Sequence, residues 1–543
     1  MGTFRNTSGD WLFLGVSSSG RPYYMLGDRE TLLTEQEADF LLAEDGTALG
    51  ISRHDDTTFK AIDLRTPDGA IQIYEYSKTY EVLETTVESG PVKLQCTYVE
   101  PITPGPHPAV VFAHGSGPNL RSRYMDAIWK YAVAGVASFA CDKRGSGESG
   151  GSLLMAGFED LSDDLIRSVR HVASSYDIDP TRLGVVGISQ AGWVMPLAAS
   201  KEPLIRFVIS ISGCGMPLAV QEHYLIENNL KYGGFGKTAV RLAHQMIRVA
   251  NSGIRTLQSE RAQAMGLVMP RIDKYFDPGT VWPGVEQPTL AIFGSHDRHV
   301  PPGSSARILS EALAARAPQG SRVLVLRGAD HGMRMSESGF AAEPVPSERI
   351  YPPGYLSAMT RWITSDFQLG VEIPGQLDEA EIVAAADAEA IRSPYASIAN
   401  HFVTKVLLLL SVLTAAVVSL CVEPLWHRLR NRRKGELPAR PQRVAWRWFR
   451  WVSALNVFMA VVTILTALIL LSFSGTRAGA LNPVAVMVSI FSLVASALSV
   501  YTIYRFAVRA QREEALRTHG SLARIVLVGL IAFPLFTLSW YIG

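Results

Sequence analysis

Three residues have types and local settings that suit nucleophilic acyl transfer. Ser189 lies in VGISQAGW, Val186–Trp193, where the apolar run RLGVVGIS reads as a strand ending in a turn that opens a helix. A serine at the tip of such a turn exposes its hydroxyl. Its neighbours must be small, because the turn is strained and the helix packs close to the strand. Gly187 supplies one small flank. Ala191 supplies the other, one methyl group larger than the glycine of the G-x-S-x-G pattern. A serine of ordinary pKa needs a base, and the base needs an orienting carboxylate. Asp297 follows the apolar run QPTLAIFGS, in HDRHVPP, and His331 follows SRVLVLRG, in ADHGM. Asp297 would hold the imidazole tautomer, and His331 would take and return the proton.

The reaction also needs hydrogen-bond donors for a developing oxyanion. The backbone N–H of Gln190, at the start of the helix, is one candidate. The other is the N–H of Ser116 in HGSGP, the loop after the apolar run VVFA. His114 and Gly117 read as residues that shape this loop. His296 and His299 flank Asp297, and Asp330 adjoins His331; these read as turn or surface groups. Ser116 and Ser212 are rival nucleophiles, but neither has the strand, small flanks and helix that surround Ser189.

Strands and helices must hold these groups. VKLQCTYVEP at Val92–Pro101 reads as an antiparallel opening strand. PAVVFAH at Pro108–His114 and GVASFACD at Gly135–Asp142 are continuous apolar runs, as expected of strands buried on both faces. Helical stretches alternate with them: YMDAIWKYAVA, then FEDLSDDLIRSVRHVASSY with apolar positions at helical spacing. PLIRFVISISG at Pro203–Gly213 is a further strand. This alternation implies βαβ units and a mostly parallel sheet. Residues from Met216 to about Phe276 interrupt it with amphipathic helical sequence, which is expected to cap the C-terminal edge of the sheet over about 216–280, where open α/β sheets bind ligands. Residues 1–81 read as a small β-rich domain, with Asp-Gly hairpin signals in EDG and PDG.

Length and composition set limits. The chain has 543 residues and a net charge of +1, which argues against nucleic acid as a partner, since phosphate binding needs a basic face. Cys96, Cys141, Cys214 and Cys421 match no zinc spacing. Buried free thiols are expected near the strands, and a Cys96–Cys141 disulfide stays open.

Beyond a linker at 368–401, residues 402–543 change character. Val406–Val422, Val452–Phe473, Leu481–Tyr504 and Ile525–Ile542 are apolar and near the length of about 17–25 residues that crosses a bilayer as a helix. Four transmembrane helices are expected. The first connecting loop carries Arg428, Arg430, Arg432, Arg433, Lys434, Arg440, Arg443, Arg447 and Arg450. The third carries Arg505, Arg509, Arg512, Arg517 and Arg524, whereas the second holds only Arg477. Positive loops mark the cytoplasmic side, which places the large N-terminal region outside the cytoplasm in a multi-pass integral membrane protein. MGTFRNTSGDW has neither the apolar core of a signal peptide nor a myristoylation site.

HGSGP, CDKRGSGESGG, GISQAG, GSHDRHVPP and ADHG, in this order, resemble the α/β-hydrolase superfamily, in particular its bacterial carboxylesterase-like and serine-aminopeptidase-like branch. The resemblance spans about Val82 to Phe367, giving a hydrolase domain at 82–367, and departs from the family pattern at Ala191. It implies a mostly parallel sheet with helices on both faces, a Ser189–Asp297–His331 triad, and a structural role near the site for DKRGSGESGG.

These readings lead to a membrane-anchored serine hydrolase that cleaves carboxylic esters through an acyl-enzyme. No metal or organic cofactor is implied. The expected partners are a small acyl ester or short peptide and a lipid bilayer. A serine aminopeptidase is the first alternative, with Glu222 or Glu227 holding the substrate amine; a thioesterase is another. A non-enzymatic sensor or binding domain on the same fold is the reading from a different class.

Overall fold

The computed structural model describes residues 2–16, 21–37, 39–55, 58–260, 264, 271–314, 319–340, 348–370, 372–389, 391–395, 401–422, 425, 440–472, 482–512, 520–538 and 540. The chain divides into two compact units: residues 1–224 with 269–391, and residues 225–268 with 392–543.

The first unit begins with eight short strands: β1 (Gly2–Arg5), β2 (Trp11–Val16), β3 (Pro22–Leu26), β4 (Arg29–Glu37), β5 (Phe40–Ala43), β6 (Ala48–Arg53), β7 (Phe59–Arg65) and β8 (Ile71–Tyr76). Each pairs antiparallel with the next, and β8 pairs back onto β1, so the sheet closes into a barrel with no free edge. The EDG and PDG turns join β5 to β6 and β7 to β8. An eight-stranded barrel is just wide enough to be filled by its own side chains. Phe4, Leu12, Leu14, Tyr24, Leu33, Leu49, Ile62, Leu64 and Tyr74 fill this one. Neighbouring positions point outward. Phe13, Tyr23, Met25 and Leu32 join a second core, where Phe13 stacks on Trp129 with ring centroids 5.0 Å apart.

The next eight strands form one twisted sheet: β9 (Tyr80–Ser89), β10 (Val92–Pro101), β11 (His107–Ala113), β12 (Ala137–Cys141), β13 (Ile178–Ile188), β14 (Val208–Ile211), β15 (Thr289–Gly294) and β16 (Arg322–Leu326). The spatial order is β9-β10-β12-β11-β13-β14-β15-β16. β9 and β10 run antiparallel at one edge, and the remaining strands are parallel. Helices α1 (Met125–Val133), α2 (Phe158–Ser175) and α3 (Ala191–Ala199) cross between strands. Strands covered on both faces are apolar throughout, and every residue of β11, β12 and β15 is buried. Cys96 and Cys141 face each other across β10 and β12 and form a disulfide, while Cys214 is free and buried.

The structure departs from the sequence reading at several places. A strand from far downstream, β17 (Glu348–Ile350), adds to β4 beside the barrel, and Arg349 Nη1 donates to buried Glu30 at 2.9 Å. Three residues give no periodicity to read. Next, the segment expected to cap the sheet is divided. It forms α4 (Leu218–Tyr232) and α5 (Lys237–Leu257), but residues 225–268 belong to the second unit. An amphipathic stripe records that a helix must bury one face, not which apolar surface it buries it against. Ala239, Val240, Leu242, Ala243 and Met246 of α5 share a core with Val412, Met459, Ala495 and Phe533. Finally, the linker contains structure. After α6 (Pro302–Ala314) and α7 (Tyr355–Thr364), helix α8 (Glu379–Ala388) forms within it. Glu389 then accepts from the Gly303 and Ser304 amides at the start of α6, at 2.8 and 2.7 Å.

The second unit contains α9 (Phe402–Val417), α10 (Arg440–Ser472), α11 (Asn482–Arg512) and α12 (Gly520–Leu538). Asn456 Nδ2 donates to Ser499 Oγ at 2.8 Å, and the Thr463 and Ser492 hydroxyls lie 3.1 Å apart, which sets α10 antiparallel to α11. The described residues do not by themselves support four membrane-length spans. Among the described residues only Met487–Arg505 is long and apolar enough to cross a membrane. The apolar parts of the other three helices, Phe402–Val417, Arg450–Thr466 and Leu527–Thr537, are shorter. Part of the reason is that Phe473, Leu481, Ser539, Tyr541 and Ile542, which completed the expected spans, lie outside the described residues. So do Arg428, Arg430, Arg432, Arg433, Lys434, Arg477 and Arg517. Arg440, Arg443, Arg447 and Arg450, expected in a loop, lie in the first turns of α10.

Candidate active site

The turn at Ser189 is built by contact, not by a loop sequence alone. Ser189 follows β13 with φ 58°, a left-handed conformation that side-chain-bearing residues seldom adopt and that marks strained functional turns. Its amide donates to Ile211 O of the neighbouring strand at 2.9 Å, and its own carbonyl accepts from Gly192 N at 2.8 Å. A β-carbon on Gly187 would lie 2.4 Å from Ala191 Cβ. One on Gly192 would lie 2.7 Å from Gly213 Cα and 2.9 Å from Cys214 N. The methyl of Ala191 therefore fits because Gly187 lacks one, and the close helix–strand approach falls at Gly192. Ala191→Gly should keep activity and cost at most about 1 kcal/mol of helix stability. Gly192→Val should destabilise the fold by about 1–3 kcal/mol through backbone overlap. Thermal melting of both variants beside the wild type checks this.

Asp297 and His331 are brought together. Asp297 lies just past β15 and is fully buried. Its Oδ1 accepts from the His299 and Val300 amides, each at 2.8 Å, and its Oδ2 lies 2.8 Å from His331 Nδ1. An ionised carboxylate only accepts, so Nδ1 carries the proton and Nε2 is left as the acceptor a general base needs. Burial works against a charged His331 ring, but the Asp297 charge and hydrogen bond, with the Asp330 charge, outweigh it and raise its pKa above the ordinary 6.5. Ser189, Asp297 and His331 all stand at the C-terminal ends of parallel strands, β13, β15 and β16.

The HGSGP loop packs against the serine turn: a β-carbon on Gly115 would sit 3.9 Å from Ser189 Cβ. Asn119 Nδ2 donates to the carbonyls of Gly115, Ser116 and Gly117 at 3.1, 3.0 and 3.1 Å. Ser116 is exposed, and Gln190, buried, directly precedes α3, where the first amides of a helix have no intrahelical acceptor.

Residues 110–343 match the model of the alpha/beta hydrolase family. The region carries the α/β-hydrolase fold. No curated protein matches the chain. Among solved structures, the hydrolase domain is similar to a hypothetical protein from Pseudomonas aeruginosa (18% identity, TM-score 0.35, covering 53% of this chain and 94% of that one). It is also similar to an esterase from Pyrococcus furiosus (19%, TM-score 0.29, 44% and 77%). A third is a puromycin-hydrolyzing peptidase from Mycobacterium tuberculosis (17%, TM-score 0.36, 67% and 54%).

Within the hydrolase domain the rival groups have other occupations. Ser212 is fully buried with its hydroxyl against Met333 Sδ at 3.8 Å. His296 Nδ1 lies 2.6 Å from Ser336 O, and Asp330 Oδ1 accepts from Gly332 and Arg334 amides, as turn groups do. His299 differs from its expected surface role: its ring packs 4.7 Å from that of His331, and burial, then the His331 charge, lower its pKa. His114 Nδ1 lies 2.9 Å from Tyr124 Oη, and burial, reinforced by the Lys143 charge, holds the ring neutral down to about pH 3.

Several contributors have no sequence signal of their own. Tyr224 Oη donates to Asp297 O at 3.0 Å and Gln221 Nε2 to His299 O at 3.1 Å, so the first turns of α4 brace the acid loop. Asn119 follows HGSGP directly and Lys143 follows the end of β12; each was readable only as part of a loop. The two carboxylates that could hold a peptide amine under the aminopeptidase alternative are already in ion pairs. Glu222 accepts from Lys274 at 2.6 Å, and in the second unit Glu227 meets Arg392, Lys231 and His244 at 2.6, 2.9 and 3.0 Å.

Proposed function

We propose that this protein is a membrane-anchored serine hydrolase that cleaves carboxylic esters through an acyl-enzyme. The observation that carries the reading is the Asp297–His331 pair, at the same sheet edge as a serine held at positive φ. His331 Nε2 takes the Ser189 proton as Oγ attacks the ester carbonyl. The oxyanion of the tetrahedral intermediate is met by the Gln190 and Ser116 amides. His331 then gives its proton to the leaving alkoxide, and water repeats the sequence to release the acid.

The test uses the wild-type chain in membranes. A fluorophosphonate probe should label it, and peptide mapping should place the adduct on Ser189. No labelling would end the serine-hydrolase reading; an adduct elsewhere would move the nucleophile. Turnover of p-nitrophenyl esters against aminoacyl-anilides then separates esterase from peptidase. The pairing of Glu222 and Glu227 favours the esterase. The raised His331 pKa has a direct consequence: below it the base is protonated and cannot accept. Initial rates should show kcat/KM falling on the acid side with a midpoint above 6.5.

Anchoring rests on the second unit. Large apolar side chains point outward along its helices, among them Leu407, Phe458, Phe491, Val500 and Val528. Large apolar side chains exposed along helices suit lipid. Arg447 and Arg450 at the start of α10 and Arg505 toward the end of α11 fall at one end of the antiparallel pair, which suits a cytoplasmic face. A disulfide in the hydrolase sheet suits an oxidising compartment for the catalytic domain. Protease digestion of intact cells should degrade that domain; protection there would place it inside.

A further inference from the structure

We infer that Lys143 is a positioning residue for transition-state stabilisation, its ammonium joining the two backbone segments that carry the oxyanion donors. The inference deepens the serine-hydrolase reading and rests on it. Lys143 leaves the end of β12, the HGSGP loop leaves β11, and the serine turn leaves β13, three strands adjacent in the sheet. Lys143 Nζ donates to Gly115 O at 2.6 Å and to Gln190 Oε1 at 2.5 Å. The first partner lies in the loop that holds Ser116. The second is the side chain of Gln190, whose amide is the other proposed oxyanion donor. Lys143 is held in turn by its own amide, which donates to Asn119 O at 3.0 Å. One rigid cluster of Lys143, Asn119, Gly115 and Gln190 therefore sets the distance between the two donors, which need placement to a fraction of an ångström.

The electrostatics point the same way. Lys143 is 3% exposed, and among the described residues no carboxylate forms an ion pair with it. The nearby charges are committed elsewhere. Asp142 accepts from Arg121 Nη1 at 2.5 Å, and Arg144 meets Asp164 at 2.6 Å. Arg123 donates to Asn119 Oδ1 at 2.9 Å, and His114 is neutral. A buried, unpaired cation is unfavourable in the resting protein. A cation so placed gains when negative charge develops beside it, as it does in the tetrahedral intermediate. Burial lowers the ammonium pKa to about 8, so the cation is lost within reach of ordinary assays. Rates should then fall on the alkaline side, where the free base can still donate but carries no charge. Loss of a proton from His331 raises the rate whereas loss of a proton from Lys143 lowers it, so the two limbs have opposite sign.

The experiment measures kcat and KM for a p-nitrophenyl ester across pH in wild type, Lys143→Met and Lys143→Arg. Lys143→Met should lose about 100-fold in kcat, the loss typical of a removed oxyanion donor, with KM little changed. Its alkaline limb should vanish. Lys143→Arg should retain more activity than Lys143→Met and carry the limb to higher pH, because a guanidinium stays charged. A Lys143→Met variant that keeps wild-type kcat and KM would overturn the inference. So would equal losses in both variants with raised KM and lowered melting temperature, which would mark a merely structural lysine. Loss of the parent reading looks different: wild type would then fail to label at Ser189 at all.

Discussion

Ser189→Ala should lower kcat for ester hydrolysis by about a million-fold and abolish fluorophosphonate labelling, because losing the nucleophile removes the covalent path and leaves only binding and donor effects. The variant should fold. The turn is held by backbone contacts, the Ser189 amide to Ile211 O and the Gly192 amide to Ser189 O, and by close packing at Gly187 and Gly192. None of these uses the hydroxyl. Ser212→Ala is the matching control. Ser212 also has positive φ and ends the adjacent strand, but its hydroxyl is sealed against Met333, so its removal should leave labelling and turnover unchanged. Full activity in Ser189→Ala, or loss of activity in Ser212→Ala alone, would assign the nucleophile to the wrong strand.

How far these groups were legible follows from what kind of interaction fixes each. The strands of the hydrolase sheet were readable because burial on both faces demands unbroken apolar runs, and PAVVFAH and QPTLAIFGS have them. The positions of Ser189, Asp297 and His331 were readable because each follows such a run directly. The barrel was visible only as short alternating strands. Its closure depends on β8 meeting β1, a pairing between the ends of the segment that no local pattern encodes. The partner of α5 was hidden for the same reason: its stripe specifies a buried face, and the residues that share its core lie about 150–300 residues away in α9 to α12. Lys143 and Asn119 were opaque because a buried lysine and a surface lysine look alike in sequence; only the fold shows that the ammonium is shut in between Gly115 and Gln190. The supports of the acid, Gln221 and Tyr224, lie in a segment whose continuation belongs to the other unit.

That support bears on the second large expectation. Asp297→Asn should lower kcat by about ten-thousandfold while leaving the fold intact. The asparagine is nearly the same shape, and its single carbonyl oxygen can still accept from the His299 and Val300 amides as Oδ1 does now. That choice turns the amide nitrogen toward His331. Because an amide NH₂ only donates, it requires a bare Nδ1 on the ring, which moves the imidazole proton to Nε2. The ring then offers Ser189 a donor where an acceptor is needed. The charge effect adds a second signature. Without the Asp297 carboxylate, burial dominates at His331 and its pKa must fall, so the acid limb of kcat/KM should shift to lower pH as the plateau collapses. Neither neighbour can restore the function: the Asp330 carboxylate is tied to the Gly332 and Arg334 amides, and His299 brings a ring and no negative charge. A plateau within tenfold of wild type, or an acid limb that does not move, would show that His331 takes its orientation from some group other than Asp297.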